Sequence, residues 1–281
     1  MANLQCSFIQ TLSKTDSHIA HVNRMLSTTA NVDTTLMTLS YTLRLLSSQL
    51  SLLNSVRLRH AAQSLAKKLA ITAPDALLPG EAIIATISNS PTSRLVRAEG
   101  SSKALSVLID DVRIFMRLWG LLGIWSWASG TYKSPPTDVP LKVIAWSQIS
   151  ACAAYQYLEN RAYLASKGVL SAAPSSKIGK WYMWSCRFWM MHVALDFVRL
   201  ARVRVLRRRA GKVSGGEEKE GKLEAVKEEA KWWRQAYVNA ANAPLTVHWS
   251  LAEGFLSEVH VSVLSLIAGG LGLKNAWEES A

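Results

Sequence analysis

Two long uncharged runs divided by a proline-rich connector constrain this chain more than any other feature. They are Leu118 to Tyr132, LWGLLGIWSWASGTY, and Val143 to Leu158, VIAWSQISACAAYQYL. At about 1.5 Å rise per residue, a helix through either run reaches only some 22 to 24 Å, short of the roughly 30 Å hydrocarbon core of a bilayer. Each run therefore reads as a shallow or marginally spanning membrane element, with the buried core of a soluble helical bundle as the alternative. The adjacent prolines of the connector 133–140 end one helix, and Pro140 opens the next in its first turn, so the two runs form a helical hairpin. Arg113 and Arg117, one turn apart before the first run, are placed to snorkel their charges to lipid headgroups. Trp119, Trp125 and Trp127 suit a membrane–water boundary.

The 281 residues are 49% hydrophobic, enough to bury a sizeable core, so the chain folds in water or at a membrane. A formal charge of +12 points to an anionic partner, either nucleic acid or an anionic lipid surface. Cys6, Cys152 and Cys186 are odd in number and widely spaced, which supports neither a disulfide framework nor a metal site and fits a reducing compartment. The N-terminus lacks a cationic and then apolar leader, so any organelle address is expected to be internal. All eleven tryptophans lie at or after Trp119, while the first hundred residues are rich in Leu, Ser and Thr.

The periodicity is helical throughout, which gives an all-α fold class: a membrane-associated bundle of amphipathic helices with a short hydrophobic hairpin. Four regions follow: an amphipathic N-terminal part over 1–100, central membrane-associated helices over 101–210, a glycine-rich linker over 211–222, and C-terminal helices over 223–281. In the first region Leu36, Leu39, Leu43, Leu46, Leu50 and Leu53 repeat at alternating spacings of three and four, one stripe that reads as a packing or oligomerisation seam. Arg57 to Ile71 continues as a basic amphipathic helix, with Leu58, Ala62, Leu65 and Leu69 on one side, Arg57, Arg59, Lys67 and Lys68 elsewhere, and no acid. Such a helix can lie in the headgroup plane, leucines inserted and cations facing anionic lipid, or form the wet face of a bundle.

Further on, Lys180 to Arg209 crowds aromatics at its start and arginines at its end, with no acid after Asp196, and reads as a juxtamembrane basic helix. No recognisable nucleic-acid module accompanies it. His192 and Asp196, four apart, are within hydrogen-bonding reach of each other and read as structural, and no nucleophile–base–acid set or cofactor motif stands out. Val226, Ala230, Trp233, Tyr237 and Ala240 form another stripe, and Asn242-Ala-Pro244 is expected to end that helix. The last apolar run, Val259 to Leu273, carries Ala268, Gly269, Gly270 and Gly272, small residues that allow close helix approach.

Four strings, in this order, carry a resemblance over nearly the whole chain: NVDTTLMTLSYTLR over 31–44, YLEN with AYL over 157–164, WSCRFW over 184–189, and NAPLTVHWS over 242–250 followed by Gly254. In these the chain resembles the peroxin-11 family of peroxisomal membrane proteins, particularly its gamma-like branch. The resemblance implies a non-enzymatic, homo-oligomerising protein of the peroxisomal membrane, without cofactor or metal, that promotes elongation and division of the organelle. It also implies insertion of a basic amphipathic helix into the cytosolic leaflet, at the place occupied here by Arg57 to Ile71. A fission adaptor and a dynamin-like GTPase are the implied partners, besides anionic phospholipid and the protein itself, with no nucleic acid. Two other classes compete: a metabolite channel or regulator of metabolite passage, and a soluble arginine-rich nucleic-acid binder.

Overall fold

The computed structural model describes residues 15–72, 92–170, 174–211 and 219–280, which are almost entirely helical. A short helix α1 covers 15–25, and the long helix α2 runs from Thr29 to Thr72. Then come α3 (Thr92–Met116), a 3-10 turn (Arg117–Trp119), α4 (Gly120–Lys133) and α5 (Val139–Ser166). The chain finishes with α6 (Ser175–Gly211), α7 (Lys219–Ser250) and α8 (Glu258–Glu279). Among the described residues there is no strand, in keeping with the all-α expectation. The segment 73–91, with its Pro74 and Pro79-Gly80 breaks, and most of the glycine-rich linker, 212–218, lie outside the described residues.

The long helices pack as a closed circuit of neighbours: α3 on α2, α2 on α8, α8 on α7, α7 on α6, α6 on α5, and α5 back on α3 through the 3-10 turn. Local chemistry explains the joints. Asp138 caps α5 by accepting from the Leu141 amide at 3.1 Å, with Pro140 in the first turn as the sequence predicts. Helix α4 folds back on α5, so the two uncharged runs do form a hairpin. Ser257 caps α8. On α8 a β-carbon at Gly269 would lie 2.7 Å from the Thr38 hydroxyl, and one at Gly272 would lie 2.9 Å from a Thr34 methyl. The small residues of the last apolar run thus serve the close approach expected of them, and the helix they approach is α2.

One expected boundary is absent. Helix α7 continues through Pro244 to Ser250, although a proline inside a helix costs about 3 kcal/mol. Leu245 and Thr246, the next two residues, are the most deeply buried on that helix, and their burial between layers offsets much of that cost. Leu245 forms the core with Tyr41 and Val261, flanked by the stacked rings of Trp189 and Trp249. Helix α8 is the one described helix long and apolar enough to cross a membrane by length and composition.

Candidate functional site

Helix α2 shows how this chain distributes its polarity. Asp33, Ser40, Ser47 and Asn54 recur every seven residues along it, and Glu99, Ser106 and Arg113 recur every seven along α3. In the antiparallel pair these two polar rows meet. Asn54 donates to the Glu99 carboxylate at 2.8 Å, Ser47 to the Glu99 carbonyl, and Ser40 to Asp110 at 2.7 Å and to the Ser106 carbonyl. Arg113 reaches Asp33 at 2.9 Å, and Arg44 pairs with Asp110. Ser40, Ser47, Asn54, Ser106 and Arg113 are all buried. Seven-residue spacing keeps each row on one side of its helix, and water-free pairing makes each hydrogen bond matter.

Apart from the buried Tyr41 and Ile109 and the core-packed Met37, many apolar residues of the same two helices lie outside this seam. The predicted leucine stripe lies on the outer side of α2: Leu39, Leu46 and Leu53 are exposed, and Leu36, Leu43 and Leu50 are half-buried. A matching stripe runs along α3 and across the 3-10 turn: Leu105, Leu108, Val112, Phe115, Trp119 and Leu122, again at alternating spacings of three and four and all exposed. Sequence reading missed this second stripe because its charged neighbours, Asp110-Asp111 and Arg113, drew attention to the other face; the spacing alone was enough to find it. Helix α4 extends the surface, with Trp125 at 74% and Tyr132 at 78% exposure. This pair is polar inside and apolar outside, the reverse of a water-soluble bundle and the pattern of helices that meet an apolar surrounding.

Arg113 and Arg117 correct an expectation: neither snorkels outward. Arg113 turns into the α2–α3 seam, and Arg117 makes a two-pronged bond to Glu159 at 2.9 and 3.1 Å. The pairing of buried carboxylates leaves no free charge for the headgroups. Trp119, Trp125 and Trp127, by contrast, are exposed.

The basic segment is the far end of α2 rather than a helix of its own. Asn54 is the last buried residue on α2, and from Ser55 to Ser64 no side chain is buried. Arg57, Arg59, Ala62 and Lys67 are exposed and Leu58 is half-buried, while the side chains of Leu65, Lys68 and Leu69 lie outside the described residues.

The arginine end of α6 also differs from its sequence reading, because acids distant in sequence come to it. Arg199 binds Asp196, Arg202 binds Asp138 at 2.8 Å, Arg207 binds Glu228 at 2.8 Å, and Arg204 lies near Glu229 and over the rings of Trp232 and Trp233. The hydrogen bond from Arg202 holds the Asp138 carboxyl below its usual range. With four of six arginines spoken for, neither headgroup binding nor nucleic-acid binding is favoured there. The stripe from Val226 to Ala240 on α7 faces outward as well: Val226, Trp233 and Tyr237 are exposed.

Asp196 is a buried hub, accepting from Gln148 at 3.1 Å, Asn239 at 2.6 Å and Arg199, so that one carboxylate ties α5, α6 and α7. Its partners leave His192 aside, against the expected contact. The His192 ring sits 3.3 Å from the Cys152 thiol and edge-on to Trp127. Burial pushes the thiol up to about 11 and lowers the imidazole, so Cys152 is held as a protonated thiol rather than an activated nucleophile. Among the described residues no cluster of metal-binding side chains occurs.

Within the circuit of helices lies a half-open cavity of about 1310 Å³, lined by residues of α2, α3, α5, α6, α7 and α8. Its charged lining includes the Arg44, Arg113 and Arg117 pairs already described. Met37, Trp189, Leu245 and Trp249 give it an apolar wall.

A family model for peroxisomal biogenesis factor 11 (PEX11) matches residues 92–277, two thirds of the chain. The chain belongs to the PEX11 family. It is a peroxisomal membrane protein involved in peroxisome proliferation, from a family of biogenesis factors. Its exposed apolar helices are consistent with that location. Three of the four strings that carried the resemblance lie inside the matched span; the string at 31–44 and the segment Arg57 to Ile71 lie before it. No curated protein and no solved structure matches the chain at a significant level.

Proposed function

We propose that this PEX11 protein drives elongation and division of peroxisomes without catalysis, by inserting the distal end of α2 into the cytosolic leaflet. The observation that supports this reading is the change along α2 at Asn54. Up to that point the helix is held by the polar seam and by α8, and beyond it no described side chain is buried while Arg57, Arg59 and Lys67 face outward. Leucines wedged into one leaflet expand its area relative to the other, and curvature relieves the mismatch. Each cation near an anionic surface adds about 1 kcal/mol. Self-association through Leu36, Leu39, Leu43, Leu46, Leu50 and Leu53 would concentrate these segments. A fission adaptor and a dynamin-like GTPase would then complete division.

Leu65→Glu with Leu69→Glu in the full chain tests this. Each change removes apolar burial worth roughly 1.5 to 3 kcal/mol and adds a charge that an anionic surface repels. Tubulation of anionic liposomes should be lost and peroxisomes in cells should become fewer and longer-lived as single bodies, while the protein stays on the organelle through its other apolar surfaces. Undiminished tubulation would end the wedge reading. Replacing Arg59, Lys67 and Lys68 by Ser should weaken binding less, and only at low salt, because screening acts on charges and not on leucines.

A further inference from the structure

The half-open cavity between the helices has the two-part chemistry of a site for an ionised head and an apolar tail. At about 1310 Å³ it exceeds the roughly 300 to 1,000 Å³ of most small-molecule sites, so a phosphate or a compact metabolite would leave it largely empty. Six cationic and four acidic side chains line it, an excess of positive charge inside a folded chain. Three of those carboxylates, Asp33, Asp110 and Glu159, are already engaged by Arg113, Arg44 and Arg117. Lys180, exposed on the lining of α6, has no carboxylate partner among the described residues, so its charge is the one on the lining left free to meet an anion. Met37, Trp189, Leu245 and Trp249 also line the cavity and give it an apolar part that water alone would wet poorly.

We infer that the cavity binds a single-chain anionic amphiphile, its carboxylate or phosphate head near Lys180 and its acyl chain along the Met37–Trp189–Trp249 wall. This site is separate from the outward segment of α2 on which membrane deformation rests, so either reading can fail without the other. A fatty acid and a lysophospholipid share the required chemistry.

The test uses the full chain in neutral detergent with a diazirine-bearing palmitate, photolysed and mapped by peptide mass spectrometry. Labels are expected on α2, α6 and α7 around Met37, Met183 and Trp249, reduced tenfold or more by excess palmitate or lysophosphatidate, whichever competes better naming the head group. Methyl palmitate, which lacks the charge, should compete at least tenfold less, and inorganic phosphate, which lacks the chain, not at all. A second readout uses the two described cysteines: palmitate should slow alkylation of Cys186, which lines the cavity, by fivefold or more and leave Cys152, which does not line it, unchanged. Gly179→Trp adds bulk to the lining at a position where a β-carbon meets no neighbour within 4 Å, so the fold should hold while labelling drops fivefold or more. Labels confined to the outer stripe of α3 and α4 would overturn the inference. Equal competition by the methyl ester would do so too, as would unchanged labelling in a folded Gly179→Trp protein. Should that variant not fold, the Cys186 protection decides alone.

Discussion

In the α2–α3 pair Arg113 meets Asp33 with its side chain 9% exposed, whereas where α6 faces α7 Arg207 meets Glu228 with the two side chains 37% and 53% exposed. The bond is the same in kind and the setting is opposite. Around the first pair the outward residues are leucines, valines and aromatics; around the second the charged Glu224, Lys227, Glu228 and Lys231 are interspersed with the exposed Leu223, Val226 and Trp233. A buried charge whose partner is lost cannot be rescued by solvent, and an exposed one can. The difference teaches which parts of this membrane protein are built for water and which for an apolar neighbour, without any single helix having to announce itself as a span.

The largest expected effect comes from breaking the inner pair. Arg113→Met leaves the half-buried Asp33 unpaired, a loss of up to about 3 kcal/mol and a fall in melting temperature of roughly 5 to 10 °C for the purified chain. Adding Asp33→Leu should recover most of it, since a buried ion pair and a packed apolar pair of similar volume are often comparable. If the single variant costs no more than a surface pair, the contrast between the two regions collapses.

Smaller in stability but sharper on what covers the outer face is Leu43→Asp with Leu46→Asp. Both residues lie on the outward stripe of α2, so each aspartate loses up to about 1.5 to 3 kcal/mol of contact with whatever apolar partner lies there. Crosslinked oligomers should fall tenfold or more while helix content is kept. An unchanged crosslinking yield with membrane extraction made easier would assign the stripe to lipid instead of a second copy.

The smallest effect is expected from the wet pair. Arg207→Ala should cost under about 1 kcal/mol, and less again in high salt, by urea or thermal unfolding. A loss as large as that of Arg113→Met would mean that this end of α6 is covered in the native protein.

Much of this was legible in the sequence. Leucines at three-and-four spacing, the Pro140 start of α5 and the small-residue run of α8 all lead from pattern to structure because each is a local rule that tertiary contacts did not override. The direction in which stripes point was not legible. Leu36 to Leu53 has the periodicity of a buried face, and only the seven-residue row of Asp33, Ser40, Ser47 and Asn54, which finds its partner row some sixty residues away, reveals that the polar side goes in. Arg113, Arg117 and the arginines of α6 misled for a related reason: a charge run shows how many cations there are, not which distant carboxylates, such as Asp33, Glu159 or Glu228, fold back to meet them. Pro244 misled because the depth at which Leu245 and Thr246 are packed depends on α8 and α2, not on the local string.

Helix α2 has a mechanical consequence. Its 44 residues form one uninterrupted rod, about 66 Å long, gripped along its first half and with no described side chain buried beyond Asn54. The free part, some 27 Å, is a lever arm: a rotation of about 10° at the grip sweeps its tip by about 5 Å, close to one helical turn. Two copies joined along their leucine stripes would therefore hold two such arms at a fixed mutual angle. The shape of the membrane beneath them would be set by how the copies are joined as much as by how deeply each arm is inserted.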